Sequence, residues 1–406
     1  MIPLADAQAA ILTAVRPLEP RSVLLVDARG LALAEDVVAE EPVPPFANSA
    51  MDGYAVQAAD TAGATEATPA RLDVVDELPA GRAPTTAVGR GQAIRIMTGA
   101  PVPDGADAIV MVEVTERDGS MVFVKRGAQP GDHVREAGGD LRPGQLVFPR
   151  GTVLGPAAIG VLASLGRRDV HAFPRARVAV LSTGDELVEG GPLAPGQIRD
   201  ANRPMLLGLL EAAGCEPVDL GIERDDEARI TKILADALAT DDAVITSGGV
   251  SVGDFDFVKA ALNRLGELRW SQVAIKPAKP LAFGMVGGVP VFGLPGNPVS
   301  SLVSFELFAR PALLQMMGHP RRFRPEIAAV AEHAMTRRPD GKLHLDRVRV
   351  TVRADGRYVA TSSGVQASNV LSALAAANGL ALLHDGDGVE AGDEVCVMLL
   401  DARADH

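Results

Sequence analysis

Three glycine-bearing turns between residues 177 and 301 carry small hydroxyls and carboxylates suited to an oxyanion. They read Arg177-Val-Ala-Val-Leu-Ser-Thr-Gly-Asp-Glu186, Ala243-Val-Ile-Thr-Ser-Gly-Gly-Val-Ser-Val-Gly-Asp254 and Val291-Phe-Gly-Leu-Pro-Gly-Asn-Pro-Val-Ser300. Each follows an apolar, strand-like run. Glycine lets backbone N–H groups approach an anion, and the N-terminus of a following helix favours negative charge. In a parallel α/β sheet such turns gather at the carboxyl edge, where ligands bind. The ligand-binding candidates are therefore Ser182, Thr183, Gly184, Ser247, Gly248, Gly249, Ser251, Pro295, Gly296 and Asn297. The competing reading is three ordinary tight turns between strand and helix.

Lysine is scarce, and two of the six lie three residues apart in Ile275-Lys-Pro-Ala-Lys-Pro280. A lysine ammonium is a compact point charge suited to phosphate oxygens, so Lys276 and Lys279 are candidates for oxyanion binding. A solvated loop with two incidental lysines has the same spacing. Carboxylates flank the turns at Asp185, Glu186, Asp226, Asp254 and Asp256. Beside an anion site they suit Mg²⁺ bridged to phosphate, whereas singly each reads as a helix cap or a solvated charge. There is no Gly-x-Ser-x-Gly elbow, no P-loop spacing and no Gly-x-Gly-x-x-Gly fingerprint at the first turn.

These residues sit in a chain of 406, long enough for about three domains. Hydrophobic residues at 47% with charged residues at 22% describe a globular chain rather than a disordered one. The balance of 39 basic against 52 acidic residues, net −13, argues against nucleic-acid binding. Cys215 and Cys396 lack the spacing of a zinc site or a disulfide framework. No signal peptide is read at Met1-Ile-Pro-Leu-Ala-Asp. The longest uncharged run, residues 151–166, is broken by Pro156 and glycines, and reads as a buried helix rather than a membrane span. A cytoplasmic protein with no membrane partner is expected.

The elements that must position the turns follow from periodicity. Residues 177–325 alternate strand and helix, as in Pro204-Met-Leu-Leu-Gly-Leu-Leu-Glu-Ala-Ala213 and the amphipathic stretch from Glu227 to Ala239. Asp225 or Asp226 is placed to cap the latter. Residues 50–143 are short, alternating and turn-rich, with a hairpin signal at Asp118-Gly119, and read as an inserted small β domain. Residues 1–49 and 144–176 flank it as a linker or dimerisation domain. Residues 326–406 return to β pattern and form a C-terminal β domain. The expected fold class is multidomain α/β plus β, around a central α/β domain.

Two further segments read locally as turns, Asn48-Ser-Ala-Met-Asp-Gly-Tyr-Ala55 and Arg95-Ile-Met-Thr-Gly-Ala-Pro101. Taken with Ser182-Thr-Gly-Asp-Glu-Leu, Thr246-Ser-Gly-Gly-Val-Ser-Val-Gly, Ile275-Lys-Pro-Ala-Lys-Pro and Gly293-Leu-Pro-Gly-Asn-Pro, they closely resemble the molybdopterin molybdenumtransferase family. The E domain of gephyrin and that of the plant cofactor-synthesis protein are its eukaryotic counterparts. The resemblance covers nearly the whole chain, with the motifs in order.

That resemblance implies a four-part, elongated subunit working as a homodimer, with a molybdopterin-binding-type α/β domain. It implies that molybdate and adenylylated molybdopterin are the substrates, that AMP is released, and that Mg²⁺ assists. Family site residues correspond to Asp52, Thr98, Asp140, Glu186, Asp226, Asp256, Lys276, Lys279, Arg347 and Ser368, with Glu186, Asp226 and Asp256 as metal candidates. The site would then lie in a cleft between the α/β domain and the β domain of the second subunit. Two positions depart from the family pattern: Ala137-Gly-Gly-Asp140 lacks an acidic residue before the Asp, and Gln366-Ala-Ser368 replaces Gln-Gly-Ser. A molybdopterin adenylyltransferase and cofactor-accepting molybdoenzymes are the implied partners. The alternatives are a molybdopterin adenylyltransferase, which resembles the α/β domain alone, and a non-catalytic gephyrin-like scaffold.

Overall fold

The computed structural model describes residues 1–248 and 257–400. At its centre is a six-stranded sheet. Its strands are β1 (Arg177–Thr183), β2 (Glu216–Glu223), β3 (Ala243–Ser247), β4 (Glu267–Gln272), β5 (Pro280–Val286) and β6 (Val289–Leu294), in the order β2-β1-β3-β6-β5-β4. The first four in that order are parallel; β5 and β4 extend the sheet antiparallel. Strand β1 is buried along its apolar run because both faces are covered. Alternation divides it, with Val178 and Val180 in one core beside Ile245 and Phe292, and Ala179 and Leu181 in the other beside Val244 and Val291.

The chain leaves β1 towards β2 on one side and returns to β3 on the other. The strand order therefore switches at β1 and β3, and the carboxyl ends of both open onto a crevice. Helix α1 (Asn202–Ala212) joins β1 to β2, and α2 (Glu227–Thr240) joins β2 to β3. In α2 the buried Ile230, Leu234 and Ala237 form a stripe, and Asp226 caps the helix by accepting the Arg229 N–H at 3.1 Å. Helix α1 begins at Asn202, two residues before Pro204, where the sequence pattern places the start.

Strands Gly53–Val56, Ala70–Leu78, Gln92–Ile96, Ala108–Met111, Thr115–Asp118 and Met121–Val124 form the sheet of the inserted domain. Its flanks meet in one small core that holds Leu25, Leu31 and Leu33 from one side and Leu154, Leu162 and Val170 from the other. Two expectations change here. The first helix, Leu4–Ala14, does not join that core; its Ala7 and Ile11 pack with the central sheet, and the Ile2 N–H donates to Gln272 O at 2.8 Å. The apolar run 151–166 forms the helix Pro156–Ser164, but only Leu162 on it is buried.

The C-terminal domain is a closed β-barrel of β7 (Glu326–Ala331), β8 (Leu343–Val352), β9 (Tyr358–Ser362), β10 (Gly379–Leu383) and β11 (Glu394–Leu399). Closure comes from β8, which pairs with both β9 and β10. Residues Ile275–Lys276 add a short parallel strand to β8 opposite Leu343 and His344. The lysine loop is thereby stitched to the barrel while β5, which follows it, belongs to the central sheet.

Candidate functional site

The three turns converge on one cavity of about 560 Å³ at the switch point. Thr183 and Glu186 come from the first turn, Ser247 and Gly248 from the second, and Gly296 and Asn297 from the third. Gly248 is required by geometry as well as by conformation. Its φ is +95°, and a Cβ there would stand 2.9 Å from the Thr183 carbonyl oxygen. Two of the backbone donors do not act as the sequence suggested. Gly184 N–H donates to Glu223 O and Gly248 N–H donates to Leu294 O, each at 3.2 Å. At these two glycines the N–H is engaged within the protein, and the turns offer hydroxyls instead. Ser182 is fully buried with its Oγ unpartnered, and Pro295 is buried behind the third turn.

A second cavity of about 770 Å³ lies between the lysine loop and the barrel. It is lined by Lys276, Lys279, Arg338, Lys342 and Arg347, with Ser368 on its wall. Asn369 lines both cavities, so they adjoin. Asp340 neutralises part of this charge. It takes Lys342 at 2.6 Å, Arg337 at 2.9 Å and His344 at 3.2 Å, and the bonds from Lys342 and His344 hold its carboxyl down at about 2. Lys276, Lys279 and Arg338 form no ion pair among the described residues.

Arg347 is completely buried. Its Nη2 donates to the carbonyls of Val365 at 3.0 Å and Ala367 at 3.1 Å, while Nε and Nη1 have no partner. Burial lowers its pKa, and burial likewise raises that of the neighbouring Asp346. Gln366 clamps the Arg347 backbone, accepting its N–H at 2.8 Å and donating to its carbonyl at 3.0 Å. Ala367, where the resemblance implies glycine, has no positive φ, so alanine fits. The Ser368 carbonyl accepts the Val299 N–H at 3.2 Å and ties this loop to the third turn.

Other expected residues lie elsewhere. Asp52 and Thr98 sit on the inserted domain, where Thr98 N–H and Oγ1 both donate to Asp52 Oδ1 at 2.7 Å. These two bonds hold the Asp52 carboxyl below its ordinary value. Gly53 beside it allows the close approach of strands, since a Cβ would meet Val110 O at 2.0 Å. Replacing Thr98 by Val should return the Asp52 pKa towards 3.8, as read by carbon NMR titration; an unchanged midpoint would rule out the hydroxyl as its cause. Asp140 is exposed, with its N–H held by Val43 O at 3.0 Å, and no hydrogen bond joins it to that pair. Asp52, Thr98 and Asp140 line neither cavity. Asp226 caps α2 and lines neither cavity. Gly249, Ser251, Asp254 and Asp256 lie outside the described residues. Among the described residues no three carboxylate, histidine or cysteine groups converge as a metal cage.

Sequence reasoning passed over Asp200, Asn202 and Asn369, which line the first cavity. An Asx–Arg–Pro run at a helix start was the available signal at Asn202.

The sequence matches the MoeA N-terminal region (domain I and II) over residues 2–166 and the "Probable molybdopterin binding domain" over 179–315. It matches the MoeA C-terminal region (domain IV) over 330–400. Molybdopterin molybdenumtransferase 2 of Mycobacterium tuberculosis is 44% identical, over 92% of this chain and 93% of its own length. The chain belongs to the MoeA family. Molybdopterin molybdenumtransferase of Haemophilus influenzae is 37% identical over 94% of each chain. The crystal structure of the molybdopterin biosynthesis moeA protein from Pyrococcus horikoshii superimposes with a TM-score of 0.82 at 31% identity, over 98% of this chain and all of that one. The MoeA match includes regions on both sides of the α/β domain, which sets aside the adenylyltransferase reading based on that domain alone.

Proposed function

We infer that this MoeA chain inserts molybdenum from molybdate into adenylylated molybdopterin and releases AMP. The observation that carries the reading is the pair of adjoining cavities. One is lined by hydroxyls at a sheet switch point; the other is cationic and holds Arg347 with two buried guanidinium nitrogens, Nε and Nη1, that lack an acceptor. A tetrahedral dianion such as molybdate supplies the missing acceptors and charge. The phosphate-bearing pterin occupies the first cavity, and Asn369 marks the junction where its dithiolene sulfurs meet the metal oxyanion. In the reaction water forms a new P–O bond as the phosphoanhydride P–O bond breaks and AMP leaves, and the dithiolene sulfurs replace molybdate oxygens, which depart as water with the thiol protons and protons from solvent.

Mg²⁺ fits the first cavity in the way this ion usually binds, through one or two carboxylates, several waters and substrate phosphates. Glu186 lines the cavity, and Asp225 is raised in pKa by burial and by the negative charges of Asp185 and Glu186, a repulsion that a cation relieves. When bound, the ion would neutralise developing charge on the phosphate oxygens. Asp226 and Asp256 are the other carboxylates the family resemblance assigns to it.

We further read the working unit as a homodimer, with Asp52, Thr98 and Asp140 of one copy completing the site of the other. Two observations support this. The accessible surface of 20170 Å² exceeds the roughly 15,000 Å² of a compact monomer of this mass. Leu24, Val26 and Leu146, all on the linker lobe, expose large apolar side chains. The substrate would come from a molybdopterin adenylyltransferase and the product would pass to molybdoenzymes. No described helix is long and apolar enough to cross a membrane, and two free thiols suit the reducing cytoplasm.

The deciding assay supplies adenylylated molybdopterin, molybdate and Mg²⁺ and follows AMP and active cofactor. AMP release that depends on molybdate is expected; its absence removes the transferase reading.

A further inference from the structure

The inference concerns the second turn, and it rests on the transferase reading of the first cavity. Because the Gly248 N–H is donated to Leu294 O, the hydroxyl of Ser247 is, among the described residues of this turn, the donor left to the cavity. A serine hydroxyl has one O–H and two lone pairs, and what occupies the lone pairs decides where the hydrogen points. Asn202 Nδ2 donates to Ser247 Oγ at 2.8 Å and to the Gly296 carbonyl at 2.7 Å. A carbonyl only accepts, so the amide nitrogen must face both groups and the side-chain orientation is settled. Among the described residues nothing accepts the Ser247 hydrogen.

Asn202 is itself held in place. It is 7% exposed, and Asp200 Oδ1 accepts the backbone N–H groups of Asn202 and Arg203, both at 3.1 Å. Arg203 in turn pairs with Asp200 and Glu189. Asn202 Oδ1 is buried without a partner, so this side chain is retained in an arrangement that leaves half of its amide unsatisfied. Such a residue is explained by what its other half does.

We propose that Asn202 is a positioning residue: by occupying a lone pair of Ser247 it makes that hydroxyl a donor to a phosphate oxygen of the substrate in the first cavity. In the same contact it locks the second and third turns together. The phosphate belongs either to the pterin or to the nucleotide; both present the same oxygens.

The test is direct binding of adenylylated molybdopterin, and separately of AMP, to the full chain and to N202A, S247A and the double variant. Each single change is expected to weaken binding of adenylylated molybdopterin about tenfold, the effect of a hydrogen bond to a charged group. The double variant should also lose about tenfold, because the two residues act as one unit. The Tm should fall more for N202A, which loses both arms of the lock, than for S247A, which keeps the arm to Gly296, whereas binding falls equally in the two. An equal loss for AMP assigns the contact to the nucleotide phosphate, and unchanged AMP binding assigns it to the pterin phosphate. A hundredfold loss in the double variant, or unchanged affinity in S247A, overturns the proposal. If N202A does not fold, Asn202→Asp replaces it. Its carboxylate accepts the Ser247 hydrogen and should weaken binding at least as much, so wild-type affinity there also overturns the proposal. Wild-type binding without molybdate-dependent AMP release would remove the transferase reading and leave the pair standing; wild-type failure to bind either ligand would remove both.

Discussion

Replacing Lys276 and Lys279 together by alanine is expected to lower molybdate-dependent AMP release by roughly 10³-fold and to leave the Tm near the wild-type value. The size follows from removing two preorganised cations from an oxyanion site, where loss of a single donor costs roughly 10²–10³ in rate. Retained stability follows from the setting of the loop. Both lysines are exposed and neither forms an ion pair among the described residues, so their removal leaves no cavity and no orphaned charge. Backbone contacts do the holding: Ile275–Lys276 pairs with β8, and the Val273 N–H donates to Lys279 O at 2.8 Å. Between the lysines Ala278 is buried at φ +73°, a left-handed conformation that alanine adopts only when its surroundings impose it. Thus the ammonium groups are exposed at their tips and carried on a constrained backbone. Steady-state rates, with circular dichroism and Tm on the same preparations, check the prediction. Turnover within tenfold of wild type would reduce the loop to a solvated connector.

The central fold was legible because its signals are local. The apolar run of β1 and the small residues after it show a buried parallel strand and its turn without reference to any other segment. The same holds for the hairpin at Asp118-Gly119, where Asp118 pairs with Met121. What was missed is non-local. Whether the Gly248 N–H faces a ligand or the sheet depends on β6, 46 positions on by the numbering of Leu294. Asn202 acquires its role from Ser247 and Gly296, 45 and 94 residues away. The first helix reads as part of the linker because it is next to it in sequence, yet its Ala7 and Ile11 are buried in the core of the central sheet, against the helical segments Phe305–Ala309 and Arg310–Met316. Arg347 is the clearest case. It shares a face of β8 with Leu345, which packs into the core of the α/β domain, while Val348 and Val350 fill the barrel. Its burial is produced by contact between two domains, and nothing in the alternation of residues 343–352 announces it.

That burial makes Arg347→Met the other substitution of large effect, with stability and activity moving apart. Activity is expected to fall by roughly 10²–10³, since Met offers neither charge nor N–H to the metal oxyanion. The Tm is expected to stay level or rise. A buried cation without a full set of partners carries a desolvation cost, and an apolar side chain of similar volume removes it. Against this stand the two bonds from Nη2 to the carbonyls of Val365 and Ala367. Both of these residues are exposed, so water can replace the donor and the loss is small. Molybdate provides an independent reading. It should raise the wild-type Tm with concentration, by about 2.7 kcal/mol of stability at a hundred times Kd, and should leave the Met variant unmoved. A variant that loses stability while keeping molybdate stabilisation would mean that Arg347 props the loop from Val365 to Ser368, and that its open nitrogens Nε and Nη1 face no ligand. If stability is kept and molybdate stabilisation lost, the cation is retained at the expense of the fold because the anion completes it.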